Sequence, residues 1–426
     1  MLTAIVGINW GDEGKGRMVD LLSADYDFVC RYQGGNNAGH TVVNESGKFI
    51  LNLIPSGILR PEVVNVMGNG MAIDLEHLHK ELNNLRDAGV KITPDNLKIS
   101  DRAIICLPYH VKQDILEEER LKDLKFGSTR RGIAPVYGDK YLKKSIRMGD
   151  LLNKEYLKKR VEQVVEWKNL DIAGGYKSIE FYAEDMYNWL LKYGEEMEEY
   201  ICDVGIYLNN AVKNNKQIMF EAQLGALKDI DFGIYPYTSS SSTIAAYAPI
   251  GAGVPGLKLD RTIGIMKAYS SCVGEGPFTA EMFGEEAKAL REAGGEYGAA
   301  TGRPRRVGPF DIVASRYGVR VQGATMLALT KLDVMSYMDK IPVVTAYNID
   351  GKITEEFPMG TDLDKATPVI EYVDGWKCDI GKCRKESELP REAYNYIKYL
   401  EEKVGSPIKY VSVGPERDDY LTMGEL

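Results

Sequence analysis

Short apolar runs bounded by glycine or proline recur along the chain, at 2–8, 28–32, 63–67, 217–220, 326–330, 342–347 and 408–413. They are of strand length, and the first reads as a buried strand. Between them lie segments with apolar residues at helical spacing. Residues 74–88 are the clearest of these, with Asp74 placed as an N-cap and Gly89 as a stop. Strands alternating with helices predict an α/β fold with a large, mostly parallel central sheet flanked by helices. Asn348-Ile349-Asp350-Gly351-Lys352 reads as a hairpin turn, which predicts small antiparallel elements too. From about 154 to 215, charged and apolar residues alternate at helical spacing, as in Tyr156, Leu157, Val161, Val164 and Val165. The expected organisation is one large α/β domain over 1–426, with a largely helical excursion inserted at about 104–215. No internal repeat, low-complexity tract or flexible linker is evident.

Length and composition add bounds. A chain of 426 residues can bury a large core, and 44% hydrophobic with 27% charged residues is ordinary globular composition. No basic stretch followed by an apolar one opens the chain and no apolar run approaches a membrane span, so a cytoplasmic protein is expected. The formal charge of −9 argues against a surface that coats nucleic acid. One stretch is basic against that background, running from Arg120 and Lys122 through Arg130 and Arg131 to Lys143, Lys144 and Arg147. Loop residues at 126–129 and 132–135 break it, so it reads either as a solvated helix face or as a local phosphate-binding element. The six cysteines are scattered, as suits a reducing compartment. Only Cys378 and Cys383 are close, with no histidine or second cysteine pair near them to complete a metal site.

The chemistry concentrates in two loops near the start, Gly11-Asp12-Glu13-Gly14-Lys15-Gly16 and Asn37-Ala38-Gly39-His40-Thr41. The first lies between a strand and a helix, an arrangement that presents backbone N–H groups and a helix N-terminus to phosphate. It is P-loop-like but not a standard P-loop, which would need glycine at Asn9 and a hydroxyl at Gly16. A metal must therefore find another ligand, and Asp12 is the nearby candidate. Two acids among bound phosphates are repelled unless a metal or a proton-transfer task holds them there. His40 is the candidate hydrogen-bond donor. His77 and His79, two apart on a helix, cannot share a metal and read as surface residues, and His110 receives no role.

Together with later segments these loops resemble the adenylosuccinate synthetase family over essentially the whole chain. The markers are G-D-E-G-K-G at 11–16, R-Y-Q-G-G-N-N-A-G-H-T at 31–41 and L-I-P-S-G-I-L at 53–59. Further on come D-I-D-F-G-I-Y-P-Y at 229–237, K-A-Y-S at 267–270, G-A-A-T-G-R-P-R-R at 298–306, T-K-L-D at 330–333 and G-P at 414–415. The resemblance implies a GTP-dependent ligase that joins IMP to L-aspartate, the first committed step of AMP synthesis. It acts with Mg²⁺ and as a homodimer with a shared active site, without nucleic-acid or membrane partners.

The resemblance also implies residue roles. Asp12 and His40 are catalytic, and Asp12 with the carbonyl of Gly39 holds the metal. GTP falls to Gly11, Asp12, Glu13, Gly14, Lys15, Gly16, Arg17, Gly39, His40, Thr41, Arg305, Lys331, Leu332, Asp333, Ser412, Val413 and Gly414. IMP falls to Asp12, Glu13, Gly14, Lys15, Asn37, Ala38, Gly39, His40, Thr129, Lys143, Gln223, Ser239 and Arg303. Aspartate falls to Ala299, Ala300, Thr301, Gly302, Arg303, Pro304 and Arg305. Two of these roles follow from chemistry as well. An ionised Asp333 can accept from both the N1–H and the amino group of guanine, a donor pair adenine lacks on that edge. The forks of Arg303, Arg305 and Arg306 suit the two carboxylates of aspartate.

Departures from the family pattern stand beside the matches. F-E-A-Q-L-G at 220–225 replaces F-E-G-A-Q-G, so either Gln223 or Leu224 lines the IMP pocket. Lys143 replaces an arginine offered across the dimer interface, and Ala300 a threonine of the aspartate loop. Rival readings are a family relative acting on another purine nucleotide and a guanine-nucleotide-binding regulatory protein without ligase activity. Asp12 speaks against a relative that lacks that carboxylate, and the arginine loop has no purpose in a switch. A dinucleotide oxidoreductase would want a different glycine pattern.

Overall fold

The apolar run at the start becomes the strand Leu2–Gly7, buried throughout and placed near the middle of a 10-stranded sheet. The computed structural model describes residues 1–37, 39–44, 47–298 and 302–424. Ala38, Ala299, Ala300 and Thr301, named above at the substrate loops, lie outside the described residues. The sheet runs Tyr420–Thr422, Ile408–Ser412, Met326–Thr330, Arg261–Lys267, Leu2–Gly7, Ile218–Glu221, Phe28–Arg31, Val64–Met67, Leu97–Ser100 and Ile201–Cys202. All pairings in it are parallel except that of the edge strand Tyr420–Thr422. In register, Ala4 lies between Phe220 and Thr262. Strands covered on both faces must be apolar on both, which is why these runs do not alternate.

Helices cover both faces. Leu75–Asp87 begins as its sequence predicts, with Asp74 accepting a hydrogen bond from the His77 N–H at 3.0 Å, and Gly89 follows its end at φ 84°. Its apolar side, with Leu78, Leu82 and Leu85, packs into a cluster shared with Leu157 and Val161 of Lys154–Asn169 and with Leu190 of Ala183–Gly194. That cover changes the reading of the histidine pair. Both are half-buried rather than surface residues, His77 bonded to Asn52 at 3.1 Å and His79 to Glu196 at 2.6 Å. Within 104–215 the chain forms the helices Pro108–Leu121, Ile133–Tyr141, Lys154–Asn169, Ala183–Gly194 and Val204–Lys213, and it contributes Ile201–Cys202 to the sheet edge.

The run at 342–347 joins a different sheet. It lies in Lys340–Ile349, which pairs antiparallel with Thr367–Asp374 and with Lys352–Thr354. The hairpin turns at Asp350 (φ 51°) and Gly351 (φ 86°), the left-handed pair such a two-residue turn requires.

Because the central strands run one way, their carboxyl ends leave the sheet along one edge. Gly7, Arg31, Glu221, Lys267, Thr330 and Ser412 all end there. Parallel sheets bind ligands in that crevice, where loops and helix N-termini converge.

Candidate active site

The loop after Leu2–Gly7 separates its two acids. Gly11 (φ 100°), Asp12 (φ 60°) and Gly14 (φ 95°) take the left-handed conformation before the helix Lys15–Leu22 begins. Glu13 turns inward, where its Oε1 accepts from the N–H groups of Asn9 (3.1 Å) and Gly11 (2.7 Å). Its Oε2 pairs with Lys15 Nζ at 2.7 Å, both side chains being almost without exposed surface. Removing one partner from such a buried pair costs about 3–5 kcal/mol, so Glu13 shapes the loop and fixes the lysine. Asp12 points the other way, about one-third exposed, with its Oδ2 3.2 Å from Arg305 Nη2. The repulsion expected of two acids is thereby resolved. One is spent on the loop and the other faces the cleft.

Gly16 explains the departure from a standard P-loop. A Cβ there would lie 2.5 Å from the Cβ of His40, closer than any side-chain carbon tolerates. The hydroxyl residue of a standard P-loop is absent here, and His40 sits against the start of the helix Lys15–Leu22. His40 opens the strand His40–Asn44, and its Nδ1 lies 2.5 Å from Glu221 Oε1. Glu221 is fully buried and also accepts from the Ser56 N–H (2.8 Å) and hydroxyl (2.6 Å). Burial alone would push the Glu221 carboxyl up, but the His40 bond and the nearby Arg31 outweigh it and hold it below its ordinary value. Burial pushes the His40 imidazole down against the pull of Glu221. The pair therefore rests as a carboxylate accepting from a neutral Nδ1–H, with Nε2 on the far side of the ring.

The strand carrying Glu221 leads into positions 223 and 224, where the sequence departs from the family pattern. Gln223 is fully buried, and its Nε2 donates to the carbonyls of Gly35 (2.7 Å) and Asn52 (3.1 Å). Its Oε1 is buried without a partner among the described residues. Leu224, at φ 60°, is the residue that lies against Gly11 at the turn carrying Asp12. Ser239 connects to the same region through hydroxyl contacts, Ser239 to Ser241 at 3.2 Å and Ser241 to Gln33 at 2.9 Å, while Gln33 donates to the Gln223 carbonyl at 2.8 Å. Thr129 and Lys143 are exposed, and Asn37 accepts from the Gly35 N–H at 3.2 Å.

On the other side of the first strand, Met326–Thr330 leads into Lys331 (φ 59°) and the 3₁₀-helix Leu332–Tyr337. Thr330 Oγ1 donates to the Glu13 carbonyl at 2.7 Å, which ties this segment to the 11–16 loop. The Oδ1 of Asp333 is buried without a partner among the described residues. Burial lifts its carboxyl above the ordinary value against the pull of Arg17 and Lys331. Arg17 reaches the segment 412–419, donating to Ser412 Oγ at 2.5 Å and to the carbonyl of Gly414 at 2.6 Å. The three stretches expected at GTP thus meet.

The arginines of the 302–306 stretch divide. Arg306 is held by Glu281 Oε2 at 2.9 Å through its Nε, whereas Arg305 lies between Asp12 and Glu296. Arg303 is exposed, and its carbonyl accepts from the Gly298 N–H at 2.8 Å. Sequence reasoning gave no role to Glu221, Ser56, Glu296 or Lys267. Glu221 had a signal, a lone acid ending an apolar strand; Glu296, with glycines at 294, 295 and 298 around it, had none.

A profile of the family described as Adenylosuccinate synthetase matches residues 4–421. The chain is 45% identical over 423 residues to the Adenylosuccinate synthetase of Caldanaerobacter subterraneus subsp. tengcongensis, covering 99% of each. It is 44% identical over 415 residues to that of Streptococcus gordonii, covering 97% of this chain and 96% of the relative. Among solved structures it is similar to the fully ligated adenylosuccinate synthetase of Plasmodium falciparum, with a TM-score of 0.93 at 35% identity over 99% of both chains.

Proposed function

The chain belongs to the adenylosuccinate synthetase family, and from this we infer how its cleft ligates IMP and L-aspartate at the expense of GTP in AMP synthesis. The C6 oxygen of IMP is a poor leaving group. Asp12 removes the N1 proton, which drives charge onto O6. O6 then attacks the γ-phosphorus, forming an O–P bond as the bond to the β-phosphate oxygen breaks and GDP leaves. The aspartate amine attacks C6 and loses a proton, the C6–O bond breaks, and phosphate departs. The observation that carries this reading is the outward Asp12, set in the same loop as an inward Glu13 that leaves it free for such a task.

His40 serves the developing charge. Its neutral resting form turns Nε2 away from Glu221, and a phosphoryl dianion beside Nε2 would favour the imidazolium, which can donate at both nitrogens. Lys15 and the loop N–H groups receive the phosphates. The unpartnered Asp333 Oδ1 suits the donors of guanine, and Arg303 and Arg305 suit aspartate.

No cluster of three or more histidine, cysteine, aspartate or glutamate residues able to hold a metal occurs among the described residues. A cation here must take most of its ligands from substrate, which is how Mg²⁺ binds, and the Asp12 carboxylate with the Gly39 carbonyl supplies the hard oxygens it prefers. When bound, Mg²⁺ neutralises charge on the transferring phosphoryl group. Lys143 stands exposed at φ 63° beside the exposed Tyr141 and Leu142, which supports a homodimer in which it reaches the partner's IMP phosphate. No described helix is long and apolar enough to cross a membrane, in keeping with work in the cytoplasm.

The test is to incubate the protein with IMP, GTP, Mg²⁺ and aspartate, omit each in turn, and detect adenylosuccinate by mass. Product is expected only from the complete mixture and is expected to vanish in Asp12→Ala with the thermal melt preserved. Near-normal turnover by Asp12→Ala removes that carboxylate from the mechanism.

A further inference from the structure

One buried carboxylate gathers four donors from three separate segments. Glu296 has no exposed surface. Its Oε1 accepts from Lys267 Nζ at 2.7 Å, from Lys331 Nζ at 3.0 Å and from the Tyr269 hydroxyl. Its Oε2 accepts from Arg305 Nη1 at 2.8 Å. Lys267 ends the strand Arg261–Lys267, Lys331 follows Met326–Thr330, and Arg305 belongs to the stretch expected at aspartate. Burial alone would push the Glu296 carboxyl up, but Lys267 and Lys331 outweigh it and hold it far below the ordinary range, so it stays charged. A structural counter-ion for Lys267 would need only one of these contacts.

We propose that Glu296 is a positioning residue that couples the guanine end of the cleft to its amino-acid end, by holding Lys331 and Arg305 on opposite oxygens of one rigid carboxylate. Lys331 precedes the guanine-reading Asp333 by two positions and also donates to the Gly294 carbonyl at 2.5 Å, just before Glu296 in the chain. A guanine ring seated along the Lys331 stem fixes that lysine, and through Glu296 it fixes Arg305, whose own N–H also donates to the Glu296 carbonyl at 2.9 Å. The ordering cost of the shared cluster then falls on whichever ligand binds first, and the second binds more tightly. Linkage makes the effect reciprocal. The inference rests on guanine binding at Asp333 and aspartate at the 302–305 stretch.

The experiment is equilibrium binding of aspartate to the full chain in the presence of IMP, with and without GDP, a combination that cannot react. In the wild-type protein GDP is expected to tighten aspartate by roughly 5- to 150-fold, the usual span of such couplings. In Glu296→Gln the ratio is expected to fall to near one, with circular dichroism and melting used to establish folding. Should the isolated buried Lys267 unfold that variant, Lys267→Met/Glu296→Gln removes both charges together and the same collapse of the ratio is expected. A folded variant that keeps the wild-type ratio makes Glu296 a structural counter-ion and overturns the proposal, as does a wild-type ratio of one. A protein that makes no adenylosuccinate instead sinks the function reading, so the two failures are distinguishable.

Discussion

Replacing Asp333 by asparagine tests the guanine site most directly. The Oδ1 of Asp333 is buried and unpartnered among the described residues, on a segment held in place by the left-handed Lys331 and the Thr330 bond to Glu13. An ionised carboxylate there accepts from guanine N1–H and from the amino group. The amide keeps one acceptor but presents an N–H₂ to the second donor, so one charge-assisted bond weakens and another becomes a clash. At about 1.5–3 kcal/mol for each charge-assisted bond, the loss is about 3–5 kcal/mol, or roughly 10²- to 10⁴-fold in kcat/KM for GTP. Xanthosine triphosphate carries an oxygen where guanine carries the amino group, so Asp333→Asn should use it better than the wild-type protein does. The assay is the initial rate with GTP, xanthosine triphosphate and inosine triphosphate at saturating IMP, aspartate and Mg²⁺. A GTP-to-xanthosine-triphosphate preference in the variant within about threefold of the wild-type value would refute the guanine assignment, since so small a shift is under 1 kcal/mol.

Two further substitutions probe packing and protonation. Gly16→Ser restores the hydroxyl of a standard P-loop but sets its Cβ 2.5 Å from the His40 Cβ, so kcat should fall by on the order of 10²-fold through displacement of the imidazole. Turnover close to wild type in that variant would show that the His40 position is not critical. Asp311, fully buried, caps the helix Ile312–Gln322 through the Ala314 N–H at 2.9 Å and accepts from the Tyr347 hydroxyl at 2.6 Å, and burial lifts its carboxyl to about 6. The folded state therefore holds this proton more tightly than the unfolded one. The stability it confers is complete below about pH 4 and is lost as pH rises to about 6, amounting to about 3 kcal/mol. Asp311→Asn can keep both hydrogen bonds without the charge, so in urea unfolding it should gain about that much on the wild-type protein between pH 4 and pH 7. A difference between the two that does not change with pH would contradict this account.

Much of the molecule could be read from residues close together in the chain. Strand runs, the Asp74 cap, the turn at Asp350-Gly351, the phosphate loop and the T-K-L-D quartet are local patterns, because backbone geometry and short spacing determine them. What local pattern could not settle is where charge and bulk go once distant segments meet. Nothing in G-D-E-G-K-G says that Glu13 folds inward onto Asn9, Gly11 and Lys15 while Asp12 faces the cleft. Membership of Lys340–Ile349 in the smaller sheet was equally hidden, since an apolar run does not name its partner strand.

The amino-acid sequence by itself determined the α/β alternation and the family, because each depends on residue type and spacing. Only the tertiary structure decided that Gly16 yields its side chain to His40, that Gln223 is buried while Leu224 meets the phosphate loop, and that Glu221 and Glu296 hold the imidazole and the cations. Burial and pairing of charge are properties of neighbours in space, and those neighbours come from segments up to hundreds of positions apart.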